Sequence, residues 1–163
     1  MEVLESDLTC AINTVIESLC GIDKLYDRQI TILRHLVNKN NIFFTSATNS
    51  GKTLPPVILP RIMKELNKLG YSYPEDPKVL FITALNSLQA SLASSLALLG
   101  LECGVVTRSN VEQILSSGVG VLLVGPEVLK HPIVVKSLMN HRSTFVCKVI
   151  DEAHLGILIY SES

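Results

Sequence analysis

The chain lacks an excess of charge of either sign. Lys and Arg number 14 against 15 Asp and Glu, a formal net charge of −1. That balance does not advertise a nucleic-acid surface, although a local basic strip is compatible with a neutral total. No apolar run reaches the length of a membrane span. The first residues, Met1-Glu2-Val3-Leu4-Glu5, are acidic and unlike a secretory signal. The four cysteines, Cys10, Cys20, Cys103 and Cys147, show no C-x-x-C spacing. They read as buried thiols of a reducing compartment, with zinc a remote alternative. Internal repeats and low-complexity tracts are missing as well. Charged residues make up only 18% and hydrophobic ones 47%, which excludes disorder. The 163 residues suffice for one domain with a sizeable core.

What is present is organised around Ser46-Ala47-Thr48-Asn49-Ser50-Gly51-Lys52-Thr53. A short apolar run, Ile42-Phe43-Phe44-Thr45, precedes it and a segment able to form a helix follows. Strand, small-residue turn, Gly-Lys-Thr and helix gather backbone N–H groups and a helix N-terminus around one point, where they bind a polyphosphate. Lys52 then supplies a point charge at the β and γ phosphates, and the Thr53 hydroxyl ligates Mg²⁺. Ser46 and Asn49 stand where the usual loop has glycines. Asn enters the left-handed region more readily than most residues.

Elsewhere the chain alternates helices and apolar strands. Residues 7–20 carry Leu8, Ile12, Val15, Ile16 and Leu19 on one face, with Gly21 as a stop. This predicts an N-terminal helix over 1–21, followed by the main domain over 22–163. A second helix starts at Asp27, with Gln29 in its first turn, and ends near Asn38. Pro60 predicts a kink or break before a helix over 61–69. Strands are predicted over 78–83, 103–107, 120–124 and 145–150. Helices are predicted over 86–99, 111–115 and 131–140, with a turn or short helix over 126–129. Continuous apolar strands between helices indicate an α/β fold with a mainly parallel sheet covered on both faces. Ligands of such sheets bind outside the carboxyl ends of the strands.

The last predicted strand runs into Asp151-Glu152-Ala153-His154. Three intervening strands allow the chain to return beside the first one. Asp151 would then hold Mg²⁺, commonly through water, and Glu152 would orient and activate the attacking water. Seen alone, an Asp-Glu pair leaving a strand is more often a solvated strand end.

Together these motifs resemble the first RecA-like domain of a superfamily 2 helicase with a DEAH box, most like the RecQ family, over residues 25–155. The resemblance implies a three-layer P-loop NTPase fold, ATP and Mg²⁺ as cofactors, and a nucleotide site of Gln29, Thr48, Asn49, Ser50, Gly51, Lys52 and Thr53. Lys52 and Glu152 are its catalytic residues, and Thr53 and Asp151 its metal ligands. Gln29 matches the glutamine that reads the adenine edge. His154 would couple the nucleotide site to the nucleic-acid site. Leu85-Asn86-Ser87-Leu88-Gln89 is similar to the family's Pro-Leu-x-Ser-Leu stretch, with Ala84 in place of the proline. Gly125-Pro126-Glu127-Val128-Leu129 is similar to its Ala-Pro-Glu-x-Leu turn. These make Ser87, Gln89, Pro126 and Glu127 candidates to lie along single-stranded or duplex nucleic acid, with DNA favoured. Tyr26 stands where the family has a basic residue.

Plainer readings stand beside these. Gln29 is a solvated first-turn residue, His154 a packing histidine, and Ser87 and Gln89 members of a wet helix face. His35, His131 and His141 show no ligand spacing. Arg108 reads as an exposed loop arginine rather than a phosphate contact. After the box the sequence reaches Ser163 without the family's aromatic loop, its Ser-Ala-Thr motif or a second RecA-like domain with arginine fingers. The expectation is a fragment or truncated product that binds ATP·Mg²⁺ and hydrolyses it slowly at best, since loss of such fingers costs about 10³ to 10⁵ in rate. It would not unwind a duplex alone. The alternatives are a non-catalytic helicase-like module that binds nucleotide, nucleic acid or a partner protein, and a small-molecule kinase. The DEAH box and the lack of an arginine-rich lid count against the kinase. The helicase class implies a nucleus in a eukaryote and otherwise the cytoplasm, with no membrane partner.

Overall fold

The computed structural model describes residues 1–44, 51–83, 86–152 and 156–161. The chain runs α1 (Glu5–Glu17), α2 (Asp27–Val37), β1 (Ile42–Phe44), α3 (Leu54–Lys68), β2 (Lys78–Thr83) and α4 (Asn86–Leu98). It continues through β3 (Cys103–Val105), α5 (Val111–Ser116), β4 (Val121–Val124), α6 (Pro126–Leu129) and α7 (Pro132–Asn140). A 3-10 turn (Arg142–Thr144) leads to β5 (Phe145–Glu152) and β6 (Gly156–Ser161). Among the described residues the strands form one sheet in the order β1-β6-β5-β2-β4-β3.

The four strands β5, β2, β4 and β3 are parallel, as the apolar runs predict. Alternate residues of these strands serve two cores. Val79, Phe81, Val121, Leu123, Cys147 and Val149 pack with α1, α2 and α3. Leu80, Leu122 and Val124 pack on the other side with Val111, Leu115 and Val134, from α5 and α7. The result is three layers, with the sheet in the middle. A register shift between Lys78 and Val79 skips Val146 on β5. One extra residue reverses the strand's faces, so Phe145 enters the second core although Cys147 lies in the first.

One expectation is corrected. Pro60 does not end a helix, because α3 runs unbroken from Leu54 to Lys68 with Pro60 buried inside it. The ring instead fills the space over Gly120, where an added Cβ would lie 2.9 Å from Pro60 Cβ. Tertiary packing there offsets the hydrogen bond that proline removes. The sequence pattern also leaves one strand unpredicted, in the segment after the box. It is β6, antiparallel to both β5 and β1. In addition, α1 is an integral part of the fold, since Leu8, Ala11, Ile12, Val15 and Ile16 lie in the same core as α3 and the sheet. Asp7 accepts a hydrogen bond from Tyr71 Oη at 2.7 Å, and Asn38 Oδ1 accepts one from Val3 N.

Three helices end in the same way. In α4, Leu101 N donates to Leu96 O and Gly100 N to Ala97 O, with Gly100 at φ 80. The end of α3 repeats this with Gly70. The end of α2 does so with Lys39 at φ 59, a conformation that costs a side chain roughly 1–2 kcal/mol.

Candidate functional site

The carboxyl edge of the sheet gathers most of the predicted site. Phe44 of β1 pairs with Ile157 of β6, and Ile157 pairs with Asp151 of β5. Phe44 and Asp151 therefore stand level, two strand spacings or about 10 Å apart. The expectation that the two motif strands would be neighbours is corrected: β6 lies between them. β5 also extends two residues further than predicted, so Asp151 and Glu152 belong to the strand, with Asp151 beside Thr83 of β2 and Glu152 beside Gly156.

The helix after the phosphate motif reaches the same edge. Pro60 packs over Gly120, just before β4 begins at the opposite, amino edge. At 1.5 Å per residue, Thr53 lies about 10 Å back along α3. Three strand residues cover the same distance, so the start of α3 stands near the level of Leu123 and its partner Phe81, toward the carboxyl ends of β4 and β2. Thr83 follows the face of Val79 and Phe81, and Asp151 that of Cys147 and Val149. Both residues thus belong to the face that α3 covers.

Gly51 shows how the turn into α3 is held. It sits at φ 71, which favours glycine. An added Cβ would stand 2.5 Å from Gln29 Nε2. Gln29 is 3% exposed and ties two segments together: Nε2 donates to Gly51 O at 2.9 Å, and Oε1 accepts from Tyr26 N at 2.8 Å. Its solvated reading is therefore corrected. An amide has two N–H donors and two acceptor sites on its oxygen, so one of each remains beyond these bonds. Thr53 is the N-cap of α3, yet its side chain makes no capping bond. Lys52 has no ion-pair partner among the described residues.

The first turn of α3 is poorer in donors than the motif suggests. Pro55 and Pro56 carry no N–H, and Leu54 N already donates to Gly51 O at 3.2 Å. An anion here would be held by N–H groups of the turn and by Lys52, not by the helix terminus. Thr48, Asn49, Ser50 and His154 lie outside the described residues, as does Ser46. Among the nucleic-acid candidates, Ser87 belongs to α4, and Pro126 and Glu127 open α6 as exposed residues. Glu127 pairs with Lys130 at 2.9 Å. Gln89 is corrected: at 5% exposure it is on no wet face, and its Nε2 donates to Thr83 O at 3.4 Å.

One residue of this edge carries no motif signal. Thr83 is 2% exposed, and its hydroxyl finds no hydrogen-bond partner among the described residues. Its place at the last position of β2, in register with Asp151, is what a sequence reading would have needed. Cavities open elsewhere: one of about 490 Å³ is lined by Asn38, Lys39, Tyr71 and Tyr73, another of about 180 Å³ by Arg61, Lys64 and Gly120, and neither touches Lys52 or Asp151. Among the described residues no group of three or more His, Cys, Asp or Glu gathers to hold a metal. Mg²⁺ on a nucleotide does not need one, because phosphate oxygens and waters complete its shell. No described helix is long and apolar enough to cross a membrane.

No protein-family model matches the chain, and no curated protein sequence matches it either. The helicase likeness therefore rests on the motifs alone.

Proposed function

We propose that this chain is an ATP·Mg²⁺-binding RecA-like domain of a nucleic-acid-dependent ATPase of the DEAH-box helicase class. The observation that carries the reading is the Gly51 turn, clamped by buried Gln29 and leading into α3 at the sheet edge that also carries Asp151. Lys52 would bind the β and γ phosphates, and Thr53 and Asp151 would hold the ion. The remaining donor and acceptor of Gln29 suit the N7 and N6 edge of adenine. Mg²⁺ when bound neutralises charge on the phosphates. Glu152 would orient and deprotonate the attacking water. Pro126 and Glu127, exposed at the carboxyl end of β4, remain candidates for a nucleic-acid track, with DNA favoured.

A second reading, a nucleotide-binding module without turnover, is favoured by the two prolines that strip donors from the start of α3. One assay separates the two. Phosphate release is measured for the wild type and Glu152→Gln, with and without single-stranded DNA or RNA. Release that nucleic acid stimulates and the substitution abolishes supports the ATPase. Nucleotide binding without release supports the module, and failure to bind nucleotide ends both readings. Nuclear or cytoplasmic placement follows only from the proposed class.

A further inference from the structure

A buried hydroxyl without a partner costs about 1–3 kcal/mol, so its retention calls for a reason. Thr83 is such a case: 2% exposed, with no acceptor or donor for Oγ1 among the described residues. Its backbone is well held. β2 pairs on both sides, and Thr83 O accepts from Gln89 Nε2. The side chain is thus fixed in place while its hydroxyl stays unused. It stands in register with Asp151 across a parallel pair, on the face covered by α3. Directly opposed residues of neighbouring strands bring their Cβ atoms to about 5 Å. The register sets the two side chains beside each other, and Thr83 Oγ1 bonds to no described group. A water molecule bridges groups at such a separation.

We propose that Thr83 is a positioning residue for hydrated Mg²⁺ at Asp151, its hydroxyl holding one water of the ion's shell. The inference rests on the nucleotide reading above. Mg²⁺ dehydrates reluctantly and keeps several waters, so a protein orders it largely through the groups that hold those waters. A hydroxyl fits this task because it accepts and donates in one small group. Valine has the same shape and does neither.

The test uses the full 163-residue chain with Thr83→Val and Thr83→Ser. Binding of a fluorescent, non-hydrolysable ATP analogue is titrated with Mg²⁺ present and again in EDTA. Thermal unfolding is recorded without nucleotide. Thr83→Val is expected to weaken Mg²⁺-dependent binding roughly tenfold, the effect of losing about 1.4 kcal/mol of a charge-assisted bond. In EDTA the difference disappears, and Thr83→Ser restores wild-type behaviour. Without nucleotide, Thr83→Val unfolds at the wild-type temperature or above it, because an unpaired buried hydroxyl has been removed. A lower unfolding temperature for Thr83→Val would mark the hydroxyl as an ordinary structural bond and overturn the proposal. So would equal Mg²⁺-dependent affinity in wild type and Thr83→Val. If the wild type binds no analogue, and Lys52→Ala behaves identically, the nucleotide reading itself fails and the proposal goes with it.

Discussion

Cys147 carries its thiol in the middle of β5 at 0% exposure, and burial pushes its pKa from 9.0 up to about 12. Burial and the neighbouring Tyr71 move the Tyr73 phenol from 10.0 to about 12, while its hydroxyl donates to Val37 O at 2.7 Å. Both groups are neutral when protonated, and both hold their proton more tightly folded than unfolded. Between about pH 9 and 12 the unfolded chain has therefore released protons that the folded chain keeps. The stability they contribute is complete below about pH 9 and falls as pH rises toward 12. Urea midpoints measured from pH 8 to pH 11 should decline, and Cys147→Ala should flatten that decline at a small cost in packing. Identical slopes for the two proteins would contradict the assignment. The buried-thiol expectation holds for Cys147, which sits between the apolar residues Phe145, Val146 and Val149. It fails for Cys10 and Cys20, which are exposed. Cys10 lies off the apolar face that Leu8, Ile12, Val15 and Ile16 define on α1, and Cys20 follows the end of that helix.

At the scale of elements, legibility followed the range of the interactions. The parallel strands and most helices were readable because apolar runs, Gly stops and cap residues act within a few positions. Pro60 misled because its compensation is Gly120, far along the chain. β6 was missed because its apolar residues have meaning only beside β1 and β5, and register against distant strands is not written locally. The Gly51–Gln29 clamp was half legible: the turn from its motif, the glutamine from family likeness, and the bond between them from neither. β6 also matters for the site, because β1 joins the sheet only through it. Ile159 pairs with Ile42 on one side and Val149 on the other. Ile159→Pro removes a ladder donor from an interior strand, at about 3 kcal/mol or more. Hydrogen exchange of the Ile42, Phe43 and Phe44 amides should then accelerate by roughly tenfold or more, while residues 79–82, held between β5 and β4, keep their protection. Equal loss in both places would mean that β6 supports the whole sheet and not the phosphate-motif strand in particular.

Across the whole molecule, two lysines mark opposite ends of the sheet and separate function from stability. Lys52 is partly exposed before α3, at the carboxyl edge. Lys78 begins β2 at the amino edge and is wholly buried. Its Nζ donates to Ser117 O and Val119 O, both at 2.9 Å, and pairs with Asp76 Oδ2 at 2.9 Å. An ammonium has three donors, and all three are used. It thus fastens the loop before β4 to the start of β2. Lys78→Met leaves two carbonyls without their donor and breaks a partly buried ion pair, while Asp76 retains Lys64 at 3.7 Å and access to water. A loss of about 3 kcal/mol follows, at the low end for breaking a buried pair. In a chain of this size that lowers the unfolding temperature by roughly 6–12 °C. Lys52→Ala removes no described contact and should leave the unfolding temperature within about 2 °C of wild type, since surface changes usually fall within ±0.5 kcal/mol. The affinities should reverse the order. ATP affinity of the folded protein, measured well below both unfolding temperatures, is expected to survive Lys78→Met and to fall at least about tenfold in Lys52→Ala. If instead both substitutions lower stability and affinity together, the two edges are one cooperative unit, and a binding site confined to the carboxyl edge is the wrong description of this fold.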